Sequence, residues 1–379
     1  MKDIYSNRTD LSPIIKWAGG KESELEIIHR YSPETFNALY DPFVGGGSVF
    51  MSFKADRYVI NDFSKELINL YRCINEKNLV FYRWLKSVED AWNGLLSFSE
   101  GENEIFNLYI DFRNNKNSEK YVKEFINNFI SENKEILDAV IPKKFKWHRE
   151  VFIKEIRLNL SRKILRMKKI EVERNIMPDE DVRENIATAF LSSLYMYFRF
   201  IYNDSELMEN NEFSTAIFYF IRNYCYCGMF RYNSNGKFNV PYGGIAYNHK
   251  SFSSKIKYYQ EKEVLEHFKK TEIYNLDFEE FLLKTKPKSN DFIFLDPPYD
   301  SEFSTYAKNE FSKDDQKRLC SYLTERCKAK WMMVIKHTSF IYSLYERKGL
   351  NITSFSKNYK VSFMNRNDKN VEHLVIRNY

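Results

Sequence analysis

The stretch Phe292-Ile293-Phe294-Leu295-Asp296-Pro297-Pro298-Tyr299 decides how the chain is read. Four consecutive apolar residues are the pattern of a strand buried on both faces, as in a parallel sheet. Two prolines then remove the N–H groups that would continue the ladder, so the backbone leaves the sheet at once. Asp296 and Tyr299 are left at the carboxyl end of the strand, the edge at which open α/β sheets bind ligands. Asp296 and the Pro297 carbonyl can accept both hydrogens of an exocyclic amine while Tyr299 stacks on the flat ring that carries it. A nucleobase fits that description.

Other segments arrange themselves around this strand. Phe36 to Tyr40 is strand-like, and Asp41-Pro42-Phe43 leads into Gly45, Gly46 and Gly47 before Ser48 opens a helix. A strand, a glycine turn and a helix N-terminus form the βα unit that brings backbone N–H groups close to a ligand. Tyr58 to Ile60 is the next strand, closed by Asn61-Asp62. An acidic residue there is placed either to accept ribose hydroxyls or to cap the helix starting near Ser64. Upstream, Pro13 to Gly20 reads as an extended entry and a glycine turn, with Lys21 where turn becomes helix. It is not a Walker P-loop, because Ile15 and Glu22 stand where that motif needs Gly and Ser or Thr. Downstream come a strand from Thr271 to Asn275 and a strand from Trp331 to Ile335. Two terminal strands near Ile352 to Phe355 and Val371 to Ile376 follow. This succession predicts an α/β fold, a doubly wound sheet ending in an antiparallel pair. Asp300 to Phe311, rich in Ser, Thr, Tyr and Phe, is suited to cover the site like a lid.

From Ser64 onward the pattern is helical, with stripes at Leu67, Tyr71 and Ile74, at Phe81, Leu85, Val88 and Trp92, and at Tyr121, Phe125 and Phe129. A basic helix is predicted from Lys146 to Arg174, with Val151, Ile156, Leu160, Ile164 and Met167 as its apolar face. Its Arg157, Arg162, Lys163, Arg166, Lys168 and Lys169 either track phosphates or form a solvated face.

The 379 residues, 43% hydrophobic, suffice for one large domain or two ordinary ones. With 27 Tyr, 32 Phe and few Gly and Pro, the composition excludes a disordered or low-complexity protein. No apolar run reaches the roughly twenty residues of a membrane span. The polar N-terminus lacks a secretory core, so the expected address is cytoplasmic. Five cysteines, with no Cys-x-x-Cys pair and no clustered histidines, support neither a disulfide framework nor a metal site. A net charge of +6 is compatible with a polyanionic partner.

Three stretches in one order carry a family resemblance: Lys16-Trp17-Ala18-Gly19-Gly20-Lys21, Asp41-Pro42-Phe43-Val44-Gly45-Gly46-Gly47-Ser48 and Asp296-Pro297-Pro298-Tyr299. Together they resemble the motifs of Dam-like, D12-class (alpha-group) adenine-N6 DNA methyltransferases, a bacterial or phage family. A fourth match runs from Phe213 through Tyr224–Asn233 to Gly243, similar to the family's target-recognition helix and β-hairpin, with Asn235-Gly236 as the turn. The resemblance covers about residues 1 to 90 and 213 to 379, and between about Asn93 and Asp204 none is found. It implies a catalytic domain from residues 1–75 and 250–379. It also implies an inserted helical recognition domain at 76–249, enlarged at about 93–204, with its hairpin at about 224–243. Asp296, Pro297, Pro298 and Tyr299 would be catalytic. S-adenosyl-L-methionine would lie against Trp17, Ala18, Gly19, Lys21, Asp41, Pro42, Phe43, Gly45, Gly47, Ser48, Asp62, Asp277, Phe278 and Asp296. For Lys21 a solvated helix start is the other reading, and for Asp277 a helix cap. Double-stranded DNA would meet Lys16, Tyr226, Arg231, Tyr232, Asn233 and Pro241, with Arg231 reading guanine and Tyr226 beside the extruded adenine. Many relatives have Asn where this chain has Cys227. A cognate restriction endonuclease is a conceivable partner. Asp-Pro-Pro-Tyr is also similar to the motif of RNA and protein-glutamine methyltransferases, and a non-catalytic DNA-binding protein on the same fold is the remaining rival.

Overall fold

The computed structural model describes residues 8–17, 19–141, 148–299, 311–346, 348–358 and 370–379. Ala18 and residues 300–310 of the expected lid lie outside the described residues. The chain forms two compact units, Met1–Asn78 with Lys257–Tyr379, and Leu79–Ile256.

The first unit is built on one seven-stranded sheet. Its strands are β1 (Ala38–Asp41), β2 (Arg57–Asn61), β3 (Thr271–Tyr274), β4 (Phe292–Leu295), β5 (Lys330–Lys336), β6 (Asn351–Asn358) and β7 (Asn370–Arg377). Their order across the sheet is β3-β2-β1-β4-β5-β7-β6. The first five are parallel, whereas β7 runs antiparallel to both β5 and β6. Every residue of β1 and β4 is buried, which is why β4 is an unbroken apolar run and β1 is one up to its last residue, Asp41. Strand order reverses between β1 and β4. That reversal is the topological switch point, where the connections diverge and leave a crevice beyond the carboxyl ends. Tyr40 of β1 pairs with Ile293 of β4, so Asp41-Pro42 and Asp296-Pro297 leave the sheet side by side. Because β7 is antiparallel, its first half enters the sheet at this same edge, with His373 opposite Lys336 of β5 and Phe355 of β6.

The second unit is helical. Helices Leu79–Gly101, Asp179–Tyr202 and Asn211–Tyr224 enclose an aromatic core. The Trp92 ring lies 4.5 Å from Tyr224 and 5.5 Å from Tyr242, and its indole N–H donates to the Asn248 carbonyl at 3.0 Å. Two expected stripes are corrected. Helix Glu119–Glu132 buries Val122, Ile126, Phe129 and Ile130, leaving Tyr121 exposed, because those four positions keep the helical period toward one side. The basic helix spans Arg149–Glu173 and buries Phe152, with Val151 only half-buried.

The expected recognition hairpin is also drawn differently. Its pairing consists of two isolated antiparallel bridges, Cys225 with Tyr242 and Tyr232 with Phe238. The turn is a three-residue loop, Ser234-Asn235-Gly236, in which the Gly236 N–H donates to the Asn233 carbonyl and the Asn233 N–H donates to Lys237. Gly236 takes φ +69°, the left-handed residue that closes such a loop.

Candidate active site

At the end of β4 the Lys21 ammonium meets Asp296. Lys21 is 2% exposed although it is a lysine at a helix start. An ammonium has three donors and no acceptor, and here all three are directed. One goes to Asp296 Oδ1, one to the Gly19 carbonyl at 3.1 Å, and one to the Tyr299 hydroxyl at 3.3 Å. The solvated-start reading therefore does not describe it, and the ammonium faces the Asp-Pro-Pro-Tyr turn. The turn is held from two further sides. Gln316, fully buried on helix Lys313–Ser321, donates to the Pro298 carbonyl at 2.9 Å, and Tyr299 shares a 3.2 Å hydrogen bond with Nε2 of His373. Among the described residues, no donor reaches the Pro297 carbonyl.

The turn after β1 packs against its neighbours. Asp41 is 2% exposed, and burial, with Asp296 and Asp62 nearby, holds its carboxyl well above the usual carboxylate range. Its Oδ1 accepts the Phe43 N–H at 3.3 Å. A Cβ on Gly46 would run into the Ile15 carbonyl oxygen, and Gly47, at φ +83°, would put one 2.5 Å from the Tyr71 hydroxyl. These two glycines are thus required by the protein's own packing, in addition to any room they leave for a ligand. The Trp17 side chain lies against Gly45 and Gly46, and Ser48 is buried at the start of the short helix Ser48–Ser52. Asp62 accepts the Ser64 N–H at 2.9 Å and the Gly45 N–H at 3.0 Å. It ties β2's end to the glycine turn, and burial raises its carboxyl above the ordinary value.

Asn61 shows most clearly what reading the residues missed. It is 1% exposed, donates to the carbonyls of Pro42 and Leu276 at 3.1 Å each, and accepts the Leu276 N–H at 2.9 Å. One amide therefore pins the loops after β1 and β3 together. An Asn beside an Asp at a strand end was the available signal. Gln316 and His373 carried none, because each acts from a separate element.

Phe43, Phe278 and Phe311 form a triangle beyond the strand ends, with ring centroids 5.4–5.8 Å apart. Asp277 caps helix Phe278–Thr285 through the Glu279 N–H at 2.9 Å and pairs with Arg318 at 3.0 Å. The cap is therefore present, and its carboxylate is engaged by a cation.

The expected DNA contacts separate into two groups. In the second unit, Tyr226, Arg231, Asn233 and Pro241 are exposed on the loop. Arg231 Nε donates to Asn239 at 3.2 Å. Tyr232 is half-buried, with its hydroxyl 3.0 Å from that of Tyr202, so it fastens the loop instead of presenting itself. The Asn233 side-chain Oδ1 accepts the Asn235 and Lys237 N–H groups at 3.0 Å, which makes this side chain the pivot of the turn. Cys227 takes φ 53°, a left-handed conformation that Asn tolerates better than Cys. Lys16, in the first unit, is exposed. On the basic helix, Lys168 donates to the Phe112 carbonyl and to Asn115, and Lys163 donates to Asn185, while Arg157, Arg162 and Arg166 are exposed.

Among the described residues, no helix is long and apolar enough to cross a membrane, and no group of three metal-ligating side chains is found. Comparison with known proteins adds an independent observation. The chain is 26% identical over 375 residues to the type II methyltransferase M.CviBI of Paramecium bursaria Chlorella virus NC1A, covering 97% of this chain and all of that protein. It is 25% identical over 356 residues to a DNA adenine methylase of Vibrio cholerae, covering 90% and 88%. It is also 25% identical over 362 residues to the type II methyltransferase M.MjaIII of Methanocaldococcus jannaschii, covering 90% of each. The family model for D12 class N6 adenine-specific DNA methyltransferases matches residues 17–361. That match runs through the helical stretch at 93–204, in which no motif was legible. With the switch-point crevice and its Asp-Pro-Pro-Tyr turn on one side and this near-complete match on the other, the chain belongs to the D12 class of N6 adenine-specific DNA methyltransferases.

Proposed function

We propose that the methyl donor is S-adenosylmethionine and that the adenine is methylated after turning out of duplex DNA into the crevice between β1 and β4. The observation that carries this reading is the meeting of Asp296, Lys21 and Tyr299 at the switch point, beside a Pro297 carbonyl that no described donor occupies. Adenine N6 is a poor nucleophile because its lone pair is delocalised into the ring. Asp296 and the Pro297 carbonyl, accepting its two hydrogens, favour a pyramidal nitrogen and aim the lone pair. Tyr299 stacking offsets part of the unstacking cost, on the order of a few kcal/mol.

The residues present suit a cationic donor. Asp41, Asp62 and Asp296 crowd one edge, and the repulsion from Asp296 and Asp62 that adds to burial in raising Asp41 is offset by positive charge. S-adenosylmethionine, when bound, supplies an electrophilic methyl on a sulfonium. Trp17, Gly19, Phe43, Gly45, Asp62 and Phe278 would hold it. In the second unit, Arg231 and Tyr226 would read duplex DNA from the exposed loop. Relatives named type II methyltransferases suggest a role beside a cognate restriction endonuclease. Transfer of labelled methyl from S-adenosylmethionine to duplex DNA, RNA and protein, followed by sequencing of the modified DNA, tests the reading. Label on N6 of adenine at one recurring duplex site is expected. Label on RNA or protein alone would overturn it.

A further inference from the structure

The Tyr299 hydroxyl stands between two nitrogens of opposite character. On one side Lys21 Nζ approaches at 3.3 Å, and on the other His373 Nε2 approaches at 3.2 Å. An ammonium can only donate, so the phenol oxygen accepts from Lys21. The phenol has one proton, and His373 Nε2, which accepts when the ring proton is on Nδ1, stands at hydrogen-bond distance from it. With Nε2 as the acceptor the ring proton sits on Nδ1, and the two sides of the hydroxyl are then complementary. His373 is fully buried in β7, held by ladder pairing to β5 and β6, with the Phe355 ring 5.7 Å away. Its ring meets that of Tyr299 at 5.7 Å and 67°. A side chain locked in a sheet is therefore fastened to one on an irregular turn that has already left its own sheet strand.

We infer that His373 is a positioning residue for the methyl transfer: by accepting the Tyr299 hydroxyl proton it fixes the far end of the Tyr299 ring, and so the place at which the ring receives the target base. The inference rests on the reading of Tyr299 as the stacking surface for the adenine. It gives the antiparallel strand β7 a task in the reaction. Rotation about the first side-chain bond of a tyrosine swings its hydroxyl, so the hydrogen bond to His373 resists that rotation from the far end while the backbone holds the near one. A ring held at both ends loses little freedom when the base arrives, which lowers the ordering cost of the productive complex.

The test is a double-mutant cycle on the full chain with cognate duplex, read by single-turnover rate and by KM for the methyl donor. His373→Phe keeps the ring and removes the acceptor, and Tyr299→Phe keeps the stacking face and removes the proton. His373→Phe is expected to slow transfer about 3- to 10-fold, the range that a neutral hydrogen bond spans, with KM for the donor unchanged, and Tyr299→Phe, which also takes an acceptor from Lys21, at least as much. The two together should be no slower than Tyr299→Phe alone, and His373→Gln, which restores an acceptor near the Nε2 position, should recover most of the rate. Effects that multiply, or a His373→Phe enzyme as fast as wild type, overturn the inference. Nitrogen chemical shifts of histidine-labelled wild type provide a measurement that needs no variant. An Nδ1–H tautomer for His373 is expected, and an Nε2–H tautomer overturns the inference. Tyr299→Ala separates the two levels: if it transfers at the wild-type rate, the stacking reading itself fails, whereas a slow Tyr299→Ala beside a fast His373→Phe sinks only the role of His373.

Discussion

At the scale of single residues, the burial of Lys21 changes what should be expected of Asp296. On sequence alone Asp296→Ala removes an acceptor at a strand end and should leave the fold intact. In the structure Asp296 is also the carboxylate partner of an ammonium 2% exposed. Asp296→Ala is therefore expected to abolish transfer and also to cost roughly 1–3 kcal/mol of stability, the worth of a hydrogen bond to a charged group. Asp296→Asn keeps an acceptor for Lys21 and should lose activity by at least about a hundredfold with little change in urea midpoint. Equal destabilisation by both variants would show that Lys21 does not depend on this oxygen. Cys227, at φ 53°, gives a prediction of the opposite sign. Cys227→Asn should raise stability by about 0.5 kcal/mol, because Asn tolerates the left-handed region. An unchanged or lower urea midpoint would contradict it.

At the scale of elements, Glu89 shows how one buried carboxylate organises the start of helix Ser253–Tyr259. It is 2% exposed in helix Leu79–Gly101, and its two oxygens accept the Ser251 and Ser253 hydroxyls and the N–H groups of Phe252 and Ser253. Burial pushes its pKa upward, but these four donors outweigh burial and hold it below the ordinary glutamate value near 4.5. A depressed folded value means stability that is present above pH 4.5 and lost as pH falls through the folded value. Glu89→Gln should lower stability by about 2 kcal/mol at pH 7, by leaving donors imperfectly matched. It should also flatten the acid limb of stability. Urea melts of both proteins between pH 7 and 3 check this, and parallel acid limbs would refute it. Within the same unit, Arg231 and the basic helix should differ in kind. Arg231→Ala should relax specificity at a guanine, costing about 1–3 kcal/mol there, whereas Arg162→Ala with Arg166→Ala should weaken every duplex and lower the salt slope. Fluorescence anisotropy over a salt series, with cognate and scrambled duplexes, distinguishes them. Equal loss on both duplexes for Arg231→Ala would make it a backbone contact.

At the scale of the whole molecule, the chain leaves its first unit at Asn78 and returns at Lys257. The proposed methyl-donor residues lie in the first unit and the proposed base-reading loop lies in the second. Hydrogen exchange should follow that division. S-adenosylmethionine should slow exchange around residues 40–48 and 61–64, and duplex DNA should slow it around 226–241. Trp17→Ala and Asp62→Ala should weaken donor affinity in calorimetry, and Asp62→Ala the more, since it also releases the Gly45 N–H. Unchanged affinity for both would displace the pocket.

The sequence by itself determined the strands that carry the chemistry and the order of the motifs. Phe292–Leu295 is apolar at every position because it is buried on both faces, and Pro297-Pro298 ends it because proline has no N–H to give a ladder. Those are local facts, and local facts are legible along a chain. What the tertiary structure alone decided is which distant groups complete the site. Lys21 is 275 positions from Asp296, and Tyr299 is 74 from His373. Neither pairing has a period or a spacing to betray it. Each exists because parallel strands and one antiparallel strand bring separate elements to the same edge, where a buried ammonium must find a carboxylate and a half-buried phenol meets a buried imidazole.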